Sequence, residues 1–276
     1  VILLDFQKIV EDQGLFYPPD PGEKTATLGG NVSTNAGGMR AVRYGVTRDY
    51  VIGMEAVLAD GSIIETGGKV LKNSSGYSLN HLLIGSEGTL AVITKLILKL
   101  LPKPQKQLSL LVPFSSLELG IGAVPKIFAA KVGPTAIEFL QREILEAAER
   151  YLGRSFPDSS APAYLLLMFY GRDDQELEEL YEKTAEVCLQ AGAEDVFIAN
   201  TADRQESIWT TRGAFLQALK EVSALEEVDV VVPPSAIAEF ISYSKQLSQD
   251  FDVRILSFGH AGDGNMHCTV IGPDTE

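Results

Sequence analysis

Apolar residues in the first hundred positions come in short groups whose spacing changes along the chain. Leu3, Phe6, Ile9 and Val10 recur at helical intervals, which predicts an amphipathic helix over Leu3–Gln13 with Gly14 just past its end. Pro18, Pro19 and Pro21 then fix a rigid, extended segment. Tyr50–Leu58 and Ser62–Thr66 flank Ala59-Asp60-Gly61, an Asp-Gly turn signal, and predict a β-hairpin. Tyr77–Leu83 predicts a short helix. The β-rich run Leu90–Leu101 predicts a strand, stopped by Pro102 and Pro104.

The texture then shifts to alternating strands and helices. Strands are predicted at Leu108–Phe114, Tyr164–Tyr170, Asp195–Ala199, Val228–Val232, Val253–Phe258 and His267–Ile271. Helices are predicted at Ser115–Ala130, Asp174–Ala191, Ser207–Glu221 and Ser235–Gln249. Thr135–Leu152 fits either one helix, with Thr135 and Glu138 as a capping box, or a short strand running into a helix. The pattern reads as an α+β sheet with helices on one face. The Pro-, Lys- and Gln-rich stretch 102–107 marks a boundary, giving domains 1–103 and 104–276.

Composition narrows the function classes. A formal charge of −14 disfavours nucleic acid and anionic membrane surfaces as partners. No apolar run approaches the roughly 20 residues of a membrane span, so no transmembrane segment is expected. Two distant cysteines, Cys188 and Cys268, make no disulfide framework, and a cytoplasmic location is the expectation. The chain opens without Met inside an apolar pattern and ends at Pro273-Asp274-Thr275-Glu276 directly after a strand-like run; a fragment lacking both ends is expected.

Two stretches could carry chemistry. Leu28-Gly29-Gly30-Asn31-Val32-Ser33-Thr34-Asn35-Ala36-Gly37-Gly38 places four glycines in ten residues among small polar side chains. Such a run reads either as a loop whose backbone approaches a cofactor pyrophosphate or as a glycine-rich surface turn. Gly67-Gly68-Lys69 is no nucleotide P-loop, because Ile63 and Val70 stand where that pattern needs Gly and Ser or Thr. No G-x-G-x-x-G follows a strand, which argues against a Rossmann fold. The second stretch is His260-Ala261-Gly262-Asp263-Gly264-Asn265-Met266-His267, with a turn signal between two β runs. A hairpin there sets His260 opposite His267, either as two ligands of an incomplete metal site or as two polar edge histidines. Arg212, on a predicted helix, reads either as a bidentate carboxylate clamp or as a solvated helix arginine. His81 reads as a core or boundary histidine, Cys188 and Cys268 as structural residues. No Ser/His/Asp or Cys/His nucleophile constellation is visible.

Tyr17-Pro18-Pro19-Asp20-Pro21, the Leu28–Gly38 stretch, Arg43-Tyr44-Gly45, Asp49, Gly85-Ser86-Glu87-Gly88-Thr89-Leu90 and Gly259–His267 occur in order along nearly the whole chain. In this succession the chain resembles the FAD-linked oxidases of the vanillyl-alcohol oxidase fold, within the group of glycolate oxidase large subunits, D-lactate dehydrogenases and D-2-hydroxyglutarate dehydrogenases. The resemblance implies the second half of an FAD-binding domain followed by an α+β substrate (cap) domain with an antiparallel sheet. An N-terminal subdomain with another glycine-rich loop, and a C-terminal Gly-Glu-His-Gly segment with a third metal ligand and the base, belong to the family pattern and are not in this sequence.

What the resemblance implies for single residues is as follows. Asp20, Thr27, Gly29, Gly30, Thr34, Asn35, Ala36 and Gly37 would line the flavin and its phosphates, and Glu87, Gly88, Thr89, Val92 and Ile93 the adenosine side. His260 and His267 would ligate a divalent metal (zinc, manganese or iron), and Arg212 would hold the substrate carboxylate. The implied activity is oxidation of a 2-hydroxy acid by hydride transfer to FAD. Electrons would pass on to an electron-transfer protein or iron–sulfur subunit. The hydroxyglutarate enzymes carry a lysine near position 227; here Glu226, Glu227, Val228 and Asp229 stand there, which favours a short acid such as lactate or glycolate. A non-catalytic FAD-binding subunit and a metal hydrolase built on the 260–267 hairpin are the competing readings.

Overall fold

The computed structural model describes residues 1–274 except Leu71 and Ser159; Thr275 and Glu276, at the end of the chain, lie outside the described residues. The chain divides into two compact units, Val1–Pro104 and Gln105–Glu276.

The first unit holds α1 (Leu3–Glu11), β1 (Leu15–Phe16), α2 (Leu28–Thr34), α3 (Ala41–Tyr44), β2 (Val51–Leu58), β3 (Ile63–Gly67), α4 (Leu79–Leu83), β4 (Ala91–Leu98) and β5 (Leu101–Pro102). The expected hairpin forms: β2 pairs antiparallel with β3, from Gly53–Gly67 to Val57–Ile63, and β4 flanks β2 on its other side. Val32, Val51, Met54, Ala56, Leu83, Ile84 and Ala91 make its main core.

The glycine-rich stretch, read from the sequence as a loop, is largely helix. Glycine is a poor helix former, but both ends are capped. Thr27 Oγ1 accepts the Gly30 N–H at 3.0 Å, and Asn35 takes the left-handed conformation (φ 51°) that closes the C-terminus. Buried Leu28 and Val32 pin the helix from below.

The second unit runs β6 (Lys106–Phe114), α5 (Leu117–Ala129), β7 (Ala136–Gln141), α6 (Arg142–Leu152), β8 (Ala163–Gly171), α7 (Asp174–Gln190), β9 (Phe197–Ala199), α8 (Ala202–Gly213), α9 (Phe215–Val222), β10 (Ser223–Val231), α10 (Ile237–Asp250), β11 (Arg254–His260) and β12 (Asn265–Asp274). Among the described residues its strands form one antiparallel sheet in the order β10-β12-β11-β7-β8-β6-β9. Of the two alternatives for 135–152, the strand running into a helix is the one that forms.

Helices cover both faces of this sheet, not one. Ile127 of α5, Cys188 of α7 and Ile241 of α10 pack against Leu165, Leu167 and Phe169 on one face. Ile144 of α6, Ile208 of α8 and Phe215 of α9 pack against Leu140, Tyr164, Leu166 and Phe258 on the other. The unbroken apolar run of β8 is what a strand buried on both sides requires. The helix expected over Ser207–Glu221 is broken at Ala214, after Gly213, into α8 and α9. That break leaves Arg212 in the last turn of α8, beside the fully buried Phe215.

Candidate active site

In the first unit the two small-residue segments, some fifty positions apart, are knitted together. The Gly85 N–H donates to Val32 O at 3.0 Å and the Glu87 N–H to Ser33 O at 2.9 Å. The turn between them takes positive φ at Gly85 (79°), Glu87 (53°) and Gly88 (76°). Asn35 Oδ1 accepts the Arg48 N–H at 3.0 Å, and Ala36 O accepts the Thr47 hydroxyl at 2.7 Å. Thr27, Gly30 and Thr34 lie along one exposed face of α2. Gly88, Thr89 and Val92 are also exposed, Val92 at 66%. A Cβ on Gly29 would come no closer than 4.0 Å to the Ile93 carbonyl, and one on Gly37 no closer than 3.7 Å to Val46, so neither glycine is required by packing. Asp20 pairs with Lys24 and, at 3.2 Å, with Arg40. His81 is exposed rather than buried. On the short α4 it is Asn80 and Leu83 that turn inward.

In the second unit one face of the sheet gathers buried charge. Glu138 of β7 is wholly buried, and its two oxygens are divided between two bases. Oε2 accepts from Arg212 Nε at 2.6 Å, with Nη2 of the same arginine 2.5 Å away; Oε1 lies 2.6 Å from His260 Nδ1. Arg212, 8% exposed, is thus no solvated helix residue. Its guanidinium also lies over Phe258 (5.1 Å) and Phe215 (5.5 Å). Burial alone would push the Glu138 carboxyl up; Arg212 and His260 overcome it, and the net displacement is downward.

The expected hairpin forms, but its turn is residues 261–264, with Asn265 already in β12, and the histidines are not directly opposite. His260 pairs with Asn265 and His267 with Phe258, because the turn is centred one residue earlier than the Asp-Gly-Asn signal suggests. The imidazoles are instead diagonal neighbours on one face, edge to face at 5.3 Å. His267 stacks on Phe258 at 5.0 Å. Its Nδ1 lies 3.5 Å from Glu227 and 3.6 Å from Asp229 without a hydrogen bond. Burial first, then neighbouring His260 and Arg212, push the His267 imidazole down to about 4. Burial and neighbouring Asp229 raise Glu227. Among the described residues, no group of three or more His, Cys, Asp and Glu side chains is placed to hold a metal ion.

Glu138 is the residue that sequence reasoning missed. Its signal was a carboxylate inside the apolar run Ala136-Ile137-Glu138-Phe139-Leu140, which the Thr135–Glu138 capping pattern disguised. Cys188 is fully buried as expected, and Cys268 lies buried beside Ser257 Oγ at 3.3 Å.

Comparison with known proteins accords with this two-part arrangement. Residues 103–274 match the family of FAD linked oxidases, C-terminal domain, and residues 1–67 match an FAD binding domain family. A D-lactate dehydrogenase of Anaerostipes hadrus is 49% identical across the whole chain, which covers 59% of that protein. The glycolate oxidase subunit GlcD of Bacillus subtilis is 42% identical over 98% of the chain and 57% of its own length. The chain thus spans somewhat under three fifths of these relatives. An alkyldihydroxyacetonephosphate synthase structure superposes over 98% of the chain with a TM-score of 0.73 at 17% identity, a likeness of fold. With the C-terminal family model matched over more than half of its length, the chain belongs to the FAD-linked oxidases.

Proposed function

We propose that the protein containing this chain is an FAD-dependent oxidoreductase that oxidises a short D-2-hydroxy acid, lactate or glycolate, to the 2-oxo acid. The observation that carries the reading is a pair of unsatisfied polar atoms on the sheet face where Arg212 meets Glu138. His267 Nδ1 and Thr269 Oγ1 are buried and make no hydrogen bond among the described residues. Buried polar atoms are ordinarily paired, and a small polar molecule is what would pair these. The names of the relatives, a D-lactate dehydrogenase and a glycolate oxidase subunit, point the same way.

The flavin would be held in the first unit. The exposed face of Thr27, Gly30 and Thr34, with Gly29 and Gly37 free of packing demands, fits a flat ligand that needs close backbone approach. Asn35, Ala36, Glu87, Gly88, Thr89, Val92 and Ile93 would complete it. When bound, FAD supplies the redox chemistry by accepting hydride from the substrate α-carbon. This chain's residues bind and orient. Arg212 would hold the substrate carboxylate, and the His260 and His267 imidazoles would engage the α-hydroxyl. Glu227 and Asp229 beside His267 oppose a second carboxylate, which favours the short acids. The two imidazoles alone are an incomplete donor set for zinc, manganese or iron. These residues do not by themselves fit a metal site, and the reading routes no step through one.

The test is anaerobic titration of the full-length flavoprotein with D-lactate, glycolate and D-2-hydroxyglutarate, followed by flavin bleaching. Bleaching by lactate or glycolate well below the concentration needed for the dicarboxylate is expected. A clear preference for D-2-hydroxyglutarate overturns the substrate assignment, and no bleaching by any hydroxy acid overturns the enzyme reading in favour of an FAD-binding subunit.

A further inference from the structure

We propose that Glu138 is a positioning residue acting on two side chains at once: it holds His260 in the tautomer that leaves the Nε2 electron pair to the site, and it fixes the attitude of Arg212. The proposal deepens the functional reading above, and its kinetic part rests on that reading.

Donors and acceptors decide the tautomer. An ionised carboxylate only accepts hydrogen bonds, and a guanidinium only donates. Oε2 of the wholly buried Glu138 is taken by Arg212 Nε, and Oε1 meets His260 Nδ1 at 2.6 Å. The hydrogen in the second contact must therefore sit on Nδ1. Arg212 is permanently charged and already balances the carboxylate. In the neutral imidazole the proton is thereby fixed on Nδ1, and Nε2 is an acceptor. Three elements that the chain separates widely, β7, α8 and β11, are locked by this one side chain.

Glutamine at this position reverses the logic without changing the shape. Arg212 requires an oxygen, so the amide oxygen must turn to it and the amide NH2 to His260. A donor facing Nδ1 forces the imidazole proton onto Nε2, where an acceptor stood. Arg212 keeps its partner while His260 is inverted.

In full-length protein labelled with 15N-histidine, the His260 signals are assigned by their loss in His260→Gln. They are expected to show a protonated Nδ1 and a bare Nε2, and Glu138→Gln should exchange the two. With the hydroxy acid that bleaches the flavin best, Glu138→Gln should lower kcat about 10–100-fold. KM should move less than about threefold, because Arg212 still has its acceptor. A wild-type His260 protonated on Nε2 or on both nitrogens overturns the proposal, as does Glu138→Gln with unchanged tautomer and rate. If the variant does not fold, the wild-type spectrum alone decides. The spectrum needs no turnover, so a protein inactive on every hydroxy acid would defeat the functional reading and leave this test standing.

Discussion

The two units put their candidate functional residues under opposite physical conditions. In the first, Gly30, Thr34 and Thr89 are small, neutral and exposed, and the fold gains little from them directly. In the second, Glu138 and Arg212 are charged and buried, and each needs the other. A surface of small residues can be altered with loss of a ligand and little loss of fold. A buried charge network cannot be altered without disturbing both. Function and stability should therefore separate in the first unit and travel together in the second.

The largest effect expected from this contrast follows Glu138→Ala. It strands Arg212 and removes the acceptor from His260, both of them buried. Breaking a buried pair by removing one partner costs about 3–5 kcal/mol. Urea unfolding of the full-length protein, followed by a probe in the second unit such as Trp209, should show a midpoint shift of that order. A shift within experimental error would mean that the carboxylate is solvated and that the contrast is false. Because Trp209 Nε1 donates to Ser109 at 2.9 Å, it reports on the same sheet face.

Adjacent glycines sharpen the comparison within the first unit. Gly38 has φ 136°, and a Cβ there would fall 2.1 Å from the Asp20 carbonyl oxygen. Gly38→Ala should cost at least about 1–3 kcal/mol from backbone strain alone. Gly37 has ordinary φ and open space out to Val46, so Gly37→Val should change stability by less than about 0.5 kcal/mol yet abolish flavin binding. Absorbance at the flavin bands and thermal unfolding, measured on both variants, check the pair. Normal flavin in Gly37→Val removes this segment from the cofactor site.

The same contrast explains what the sequence could reveal. The hairpin of β2 and β3 was legible because Asp60-Gly61 and the flanking alternation are local signals. The glycine-rich segment was legible as a motif but not as a helix, since its helicity depends on caps at Thr27 and Asn35 that propensity does not weigh. Arg212 and the two histidines could be picked out singly. Their union could not, because Glu138 reaches them only once strands distant in sequence lie side by side, β7 against β11. Helices on both faces were implied by the continuous apolar run Tyr164–Tyr170, whose lack of alternation is the mark of a doubly covered strand.

The smallest effect concerns His267 and acid. With its pKa pushed from the ordinary 6.5 down to about 4 by burial and by neighbouring His260 and Arg212, the folded imidazole stays neutral where the unfolded one protonates. Between those values the unfolded state binds more protons, so stability rises with pH and is lost as pH falls. From pH 7 to pH 5.5 the loss attributable to this group is about 1 kcal/mol. Glu227 and Asp263, both raised by burial, act in the opposite sense, since the folded state then binds protons more readily than the unfolded. They remain in His267→Phe, a substitution that keeps an aromatic ring against Phe258. The difference between the two stability–pH curves therefore isolates the imidazole. Wild type should lose stability relative to His267→Phe as pH falls from 7 to 5.5. Parallel curves would show that His267 is free to protonate in the folded protein, and would move this face of the second unit toward the solvated character of the first.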